Sequence, residues 1–263
     1  MHLKQKLDKA EFAYGTWSQT GSEEVLEILG YSGQFAFTII DTEHGFYDLG
    51  HAENLVRAAD ASGISPIVRV TTNEPHLVTK ALDIGAQGVL VPNIATAEAA
   101  QKFVAATRYA PRGNRGACPF VRSGHHLVTD WAEYATRASE DVFTMVLVEG
   151  AEGFENLEAI AKTEGLDALM IGPMDLTVSL GIGGQLDHPR LQQYIIDAVK
   201  ICEANNVKFF LPNFFQTIEK ATKATIEFRK LGVKYFTVGS DKLFLTAYMN
   251  QQHAALRDAL VAA

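Results

Sequence analysis

Cysteine is scarce in this chain. Of 263 residues only Cys118 and Cys202 are cysteines, far apart and outside any Cys-x-x-Cys spacing, so neither a disulfide framework nor a thiolate zinc site is expected. Basic charge is also short: 23 Lys and Arg against 31 Asp and Glu give a formal charge of −8. The basic residues are scattered, which argues against a nucleic-acid phosphate backbone as partner. No uninterrupted apolar run approaches about 18 residues, and Met1 to Lys6 carries no apolar signal core. Neither a membrane span nor secretion by a standard signal is expected, and the cytoplasm is the default location. No Pro/Gly/Ser-rich linker or shift in composition divides the chain, so 1–263 reads as one domain.

What is present is ordinary globular composition, 47% hydrophobic and 21% charged, enough for a large core and without disordered bias. Two kinds of segment alternate along it. Apolar runs rich in β-branched and aromatic residues predict strands at Ala13–Trp17, Phe35–Ile40, Ser65–Val70, Gly88–Pro92, Val142–Gly150, Ala168–Pro173, Lys208–Leu211 and Tyr235–Gly239. Helical spacing follows each: Ser22–Gly30, with a serine cap and a closing glycine, then Leu49–Gly63, Pro75–Gly85, Thr96–Tyr109, Phe154–Thr163, Pro189–Asn205, Thr217–Leu231 and Lys242 onward. Ala110–Trp131 breaks the pattern: Pro111–Gly116 carries turn residues and two arginines, and a long irregular stretch with His125 and His126 follows. A short helix is expected from Asp130 to Ala138. Eight βα units imply parallel strands with crossover connections, and at this length they favour closure into a single-domain α/β (β/α)8 TIM barrel over a doubly wound open sheet.

In a barrel the carboxyl ends of the strands converge on one face. The second strand delivers Asp41, Glu43 and His44; the third, Arg69; the fifth, Glu149; the sixth, Asp175 just beyond Gly172-Pro173. Any of these alone would serve as a loop acid, a helix cap or a surface ion pair. Together, at matching ends of otherwise apolar strands, they read as one site. Two carboxylates with few nitrogen or sulfur neighbours suit a hard divalent cation that keeps water and substrate oxygens in its other positions. An arginine beside it can hold a carboxylate or stabilise a developing enolate, and a histidine can move a proton near neutral pH.

Asp41-Thr42-Glu43-His44, Val68-Arg69, Leu82-Asp83-Ile84-Gly85-Ala86, Val91-Pro92, Arg108-Tyr109, Pro111-Arg112-Gly113-Asn114-Arg115-Gly116, Val148-Glu149 and Ile171-Gly172-Pro173-Met174-Asp175-Leu176 occur in this order. The set, spread from about Gly15 to Gly239, resembles the HpcH/HpaI aldolases, metal-dependent class II pyruvate aldolases. The resemblance implies Glu149 and Asp175 as ligands of a divalent cation (Mg, Mn or Co) that also binds a 2-oxo acid. It implies Arg69 steadying the keto oxygen, His44 transferring protons through a bound water and oriented by Asp83, and Asp41 as a neighbouring acid. The backbone of Gly172, Pro173, Met174 and Asp175 would receive the substrate carboxylate. No lysine Schiff base is required. The partners would be a small 2-oxo acid and an aldehyde, and the assembly a homo-oligomer, trimer or hexamer, exchanging its last helix.

Two positions depart from the family pattern: Leu147 stands where a glutamine is common, and Gly150 where serine or threonine is. Losing the amide removes a hydrogen bond of roughly 0.5–1.5 kcal/mol and puts the usual substrate pose in question. Cys118–Asp130 and Gly181–His188 are expected to line the aldehyde side, and Glu43 receives no role. The readings to separate are an aldolase of 4-hydroxy-2-oxo acids, a CoA-thioester lyase, which lacks a clustered basic patch here, and a non-catalytic 2-oxo-acid-binding barrel.

Overall fold

The computed structural model describes residues 2–262. Eight strands, β1 (Ala13–Ser18), β2 (Phe37–Asp41), β3 (Ser65–Arg69), β4 (Gly88–Val91), β5 (Phe143–Val148), β6 (Ala168–Ile171), β7 (Lys208–Asn213) and β8 (Tyr235–Ser240), pair in parallel in chain order and close into a barrel. The helices are α1 (Leu3–Lys9), α2 (Glu23–Tyr31), α3 (Leu49–Ser62), α4 (Pro75–Asp83), α5 (Ala97–Thr107), α6 (Trp131–Asp141), α7 (Ala151–Glu155), α8 (Leu157–Ala161), α9 (Pro173–Ser179), α10 (Pro189–Ala204), α11 (Ile218–Lys230) and α12 (Asp241–Ala262).

Every residue of β2 to β6 is buried, as strands covered on both faces require. Alternate side chains divide between two cores. Phe37, Ile39, Ile67, Leu90, Met145, Leu147 and Met170 fill the barrel interior, whereas Ile40, Val68, Val146 and Ile171 meet the helices. Continuing the inward alternation one step past Ile39, Ile67, Leu147 and Met170 reaches Asp41, Arg69, Glu149 and Gly172. One pleat therefore brings residues from four strands to the carboxyl rim.

All eight expected strands are present, with shifted ends. β2 starts at Phe37 rather than Phe35, and β5 stops at Val148, leaving Glu149 just outside the ladder. The helix expected over 154–163 is two short ones meeting at Asn156, whose side-chain amide donates to the Ala95 carbonyl at 2.9 Å. Helix α1 was not expected. Its Leu3 and Leu7 are fully buried in the barrel interior and plug the amino-terminal mouth, each contributing about 1.5–3 kcal/mol. The Gln87 side chain accepts from Leu3 N–H at 2.9 Å, and Tyr235 donates to the Leu7 carbonyl at 3.3 Å, which fixes the plug.

Candidate active site

The β2–β3 register sets Asp41 beside Arg69. Arg69 Nε donates to Asp41 Oδ1 at 2.8 Å and Nη2 to Oδ2 at 2.6 Å, a two-pronged pair in which the aspartate is fully buried. Asp41 also accepts from Gln19 Nε2 at 2.8 Å and from the backbone N–H groups of Glu43 and His44 at 3.2 and 3.1 Å. Burial opposes its ionisation, yet Arg69, Gln19 and the His44 N–H outweigh it and hold the carboxyl below the usual aspartate range. With its acceptor sites taken, Asp41 anchors the arginine and the turn after β2. It is not a free acid. Tyr47 braces the same turn: its hydroxyl donates to Ser18 O at 2.7 Å and accepts from Asp41 N–H at 3.0 Å.

Arg69 has two further neighbours. Its guanidinium carbon lies 4.7 Å from the Trp17 ring centre, and Nη1 lies 2.9 Å from Glu43 Oε2. That oxygen is buried and has no well-aligned hydrogen bond, so the contact is coulombic. Burial raises the Glu43 carboxyl above the ordinary glutamate range, with Arg69 opposing it. Glu43, given no role from sequence, is therefore a second counter-ion of Arg69. The i, i+2 spacing of Asp41 and Glu43 was the available signal.

Across the rim, Glu149 and Asp175 gather around Gly172. A Cβ there would stand 3.0 Å from Glu149 Cγ, 3.4 Å from its Oε1 and 3.6 Å from Asp175 Oδ2, so the missing side chain leaves a cradle faced by both carboxylates. Glu149 Oε2 accepts from the Asn93 N–H at 3.1 Å; Asn93 holds a left-handed φ of 55° to present it. Burial, then the charges of Asp175 and Glu43, push the Glu149 carboxyl up to about 7. Asp175 is exposed in the first turn of α9, where Gly172 as N-cap supplies no side-chain oxygen. The N–H groups of Met174 and Asp175 are thus first-turn donors free of a side-chain cap.

His44 is exposed on the same rim. Asp83 is not with it. It ends α4 at the opposite, amino-terminal rim and accepts from Arg115 Nη2 at 2.8 Å, so within one chain it does not orient His44. Arg115 is stacked on Tyr109, with its guanidinium carbon 4.7 Å from the ring centre. The Cys118–Asp130 segment shares that rim, Arg122 donating to the Ile84 carbonyl at 3.0 Å and to Asp60 at 2.6 Å. Within one chain it therefore lies at the rim opposite the carboxylate pair, whereas Gly181–His188 falls between α9 and α10, in the connection that follows β6.

Among the described residues no group of three or more His, Cys, Asp or Glu stands close enough to hold a metal ion. The donor set offered to a cation is the Glu149 and Asp175 pair, two hard oxygen ligands facing one cradle whose mutual repulsion a cation would relieve. The residues present fit a hard divalent ion.

The fold is a closed α/β barrel whose carboxyl rim gathers Asp41, Glu43, Arg69, Glu149 and Asp175. Residues 13–247 match the family described as HpcH/HpaI aldolase/citrate lyase. The chain is 33% identical over 246 residues to a 2-dehydro-3,6-dideoxy-6-sulfogluconate aldolase from Pseudomonas putida, covering 92% of each protein. It is 35% identical over 193 residues to a 5-keto-4-deoxy-D-glucarate aldolase from Escherichia coli, covering 73% of this chain and 74% of that one. A crystal structure of an HpcH/HpaI aldolase/citrate lyase family protein from Burkholderia cenocepacia superposes with a TM-score of 0.88 at 32% identity, over 97% of this chain and 98% of that one. The chain belongs to the HpcH/HpaI aldolase/citrate lyase family. It is an enzyme of the aldolase class acting on small molecules, and the CoA-thioester and non-catalytic readings are not favoured.

Proposed function

We propose that the enzyme makes or cleaves a 4-hydroxy-2-oxo acid, joining pyruvate or a related 2-oxo acid to an aldehyde, with Mg²⁺, Mn²⁺ or Co²⁺ held by Glu149 and Asp175. The observation that carries this reading is the cradle at Gly172, which both carboxylates face while Glu149 is pushed up to about 7 by burial and by neighbouring charge. When bound, the cation supplies a Lewis acid that draws electron density from the keto oxygen of the 2-oxo acid.

The chain's own groups do the rest. Arg69, held by Asp41 and Glu43, presents a fixed positive charge to the oxygen on which negative charge grows as the C–H or C–C bond breaks. Because two carboxylates fix the guanidinium beforehand, little reorganisation is needed as that charge appears. His44, exposed beside the anchored turn, carries the proton to or from C3 or the aldehyde oxygen. Gly172 and Pro173 open α9 so that the N–H groups of Met174 and Asp175 receive the substrate carboxylate. Leu147 contributes no hydrogen bond from its side chain, so orientation rests on Arg69 and this helix start.

Assembly into a trimer or hexamer through exchange of α12 is part of the proposal. It is supported by the exposed Leu245, Tyr248, Met249, Leu256 and Leu260 along that helix. Light scattering on Leu256→Asp/Leu260→Asp protein tests it, with a fall to monomer mass expected. No helix among the described residues is long and apolar enough to cross a membrane. Cytoplasmic location is proposed on the free, exposed thiol of Cys118, which suits a reducing compartment.

The test of the activity is to incubate cation-stripped protein with pyruvate or hydroxypyruvate and an acceptor aldehyde, adding back each cation in turn. New C–C bond formation that depends on a divalent ion is expected. Turnover that no added ion supports, or that Glu149→Ala leaves unchanged, contradicts the reading.

A further inference from the structure

We infer that the second substrate is an uncharged aldehyde with an apolar substituent, alkyl or aromatic, seated against Trp17, Leu147 and Phe214; this rests on the aldolase reading above. Two independent features carry it. The first is the surface beside Arg69. Trp17 and Leu147 belong to the interior apolar layer immediately beneath the rim acids, and the one polar atom of the indole is already satisfied, Nε1 donating to Thr237 Oγ1 at 2.8 Å. Phe214, on the connection after β7, has its ring centre 6.0 Å from that of Trp17 and remains 46% exposed, so it extends the apolar wall from the floor to the solvent edge. A substituent bearing hydroxyl groups would lose its water there without finding donors or acceptors in the wall.

The second feature is charge. Asp41, Glu43, Glu149 and Asp175 share the rim with one guanidinium, Arg69, whose two sides are occupied by Asp41 and Glu43. A divalent ion leaves this cluster with one net negative charge before the 2-oxo acid adds its carboxylate. A second anion has no free cation in the cluster to meet.

The reaction balances without a further reagent. C3 of the 2-oxo acid loses a proton, C3 bonds to the aldehyde carbon, and the aldehyde oxygen takes up a proton.

The experiment uses cation-loaded protein with pyruvate and compares kcat/KM for hexanal and benzaldehyde with that for glyceraldehyde and succinic semialdehyde. Deuterium exchange at pyruvate C3 is followed in parallel. The apolar aldehydes are expected to lead by at least about tenfold, the discrimination that a few buried methylenes supply. Phe214→Ser is expected to lower the hexanal-to-glyceraldehyde ratio by about tenfold, a ratio that does not move when a variant merely loses active protein. As a binding readout, hexanal without pyruvate should change the fluorescence of Trp17 saturably in Trp131→Phe protein, and glyceraldehyde should not. Exchange together with a preference for glyceraldehyde or succinic semialdehyde, or an unchanged ratio in Phe214→Ser, overturns this inference alone. Absence of exchange overturns the aldolase reading and this inference with it.

Discussion

Arg69 and Asp41 are register partners on adjacent strands and are joined at both ends of the carboxylate, at 2.8 and 2.6 Å. The arginine is therefore oriented by the sheet before any substrate arrives, and the pair is as much a fold element as a site element.

Removing the charge of Asp41 should be costly. Asp41→Asn leaves a 5% exposed guanidinium with only Glu43, and breaking such a buried pair costs about 3–5 kcal/mol. The sign with pH follows from the lowered carboxyl. Its contribution is complete above the unfolded aspartate value of about 3.9 and is lost as pH falls through the lower folded value. Urea midpoints should show a constant gap between wild type and variant from about pH 5 to 7 that narrows below about pH 4.

Arg69→Lys keeps the charge but loses the fork that spans Asp41 and reaches Glu43. A fall in kcat of about 10²–10³ is expected, the usual effect of removing a fixed donor at a developing oxyanion. An unchanged kcat in steady-state assays would show that the guanidinium is only structural.

Gly172→Ala places a methyl 3.0 Å from Glu149 Cγ, inside the cradle shared with Asp175. Titration calorimetry with Mn²⁺ should show affinity reduced by at least about tenfold, equivalent to about 1.4 kcal/mol, from displacing one of two ligands. The melting temperature of cation-free protein should change little, because the methyl enters the site and not the core.

Asp83→Asn tests the opposite rim. Arg115 has only 2% of its side chain exposed, so losing its carboxylate partner should destabilise the fold by about 3 kcal/mol, read as a lower urea midpoint at unchanged slope.

The alternation of apolar strands and amphipathic helices makes the barrel legible, and the abrupt polar residues at Asp41, Arg69 and Glu149 mark the carboxyl ends of strands that the barrel gathers on one rim. The neighbours of those residues were harder to read. Glu43 meets Arg69 only because β2 and β3 pair in this register and the turn after β2 curls back, neither of which a single chain segment displays. Asn93 gave a faint signal, since asparagine tolerates the left-handed backbone it adopts after β4. Asp83 illustrates the converse. The family resemblance implies Asp83 as the partner of His44, but within one chain a helix of nine residues carries Asp83 away from the strand ends to Arg115. The plug α1 is not legible in the sequence, because Leu3 and Leu7 show one helical repeat between charged residues, too little periodicity to stand out.

The central claim is that Glu149 and Asp175 hold a cation that lets C3 of a 2-oxo acid lose its proton. Proton NMR of pyruvate in D₂O measures this without knowledge of the aldehyde. Loss of the C3 signal should require added Mg²⁺, Mn²⁺ or Co²⁺ and should fall at least about 10²-fold in Glu149→Ala, the loss expected when charge stabilisation at the reacting oxygen is removed. Exchange at the full rate in cation-stripped protein, or in the Glu149→Ala variant, would contradict the account.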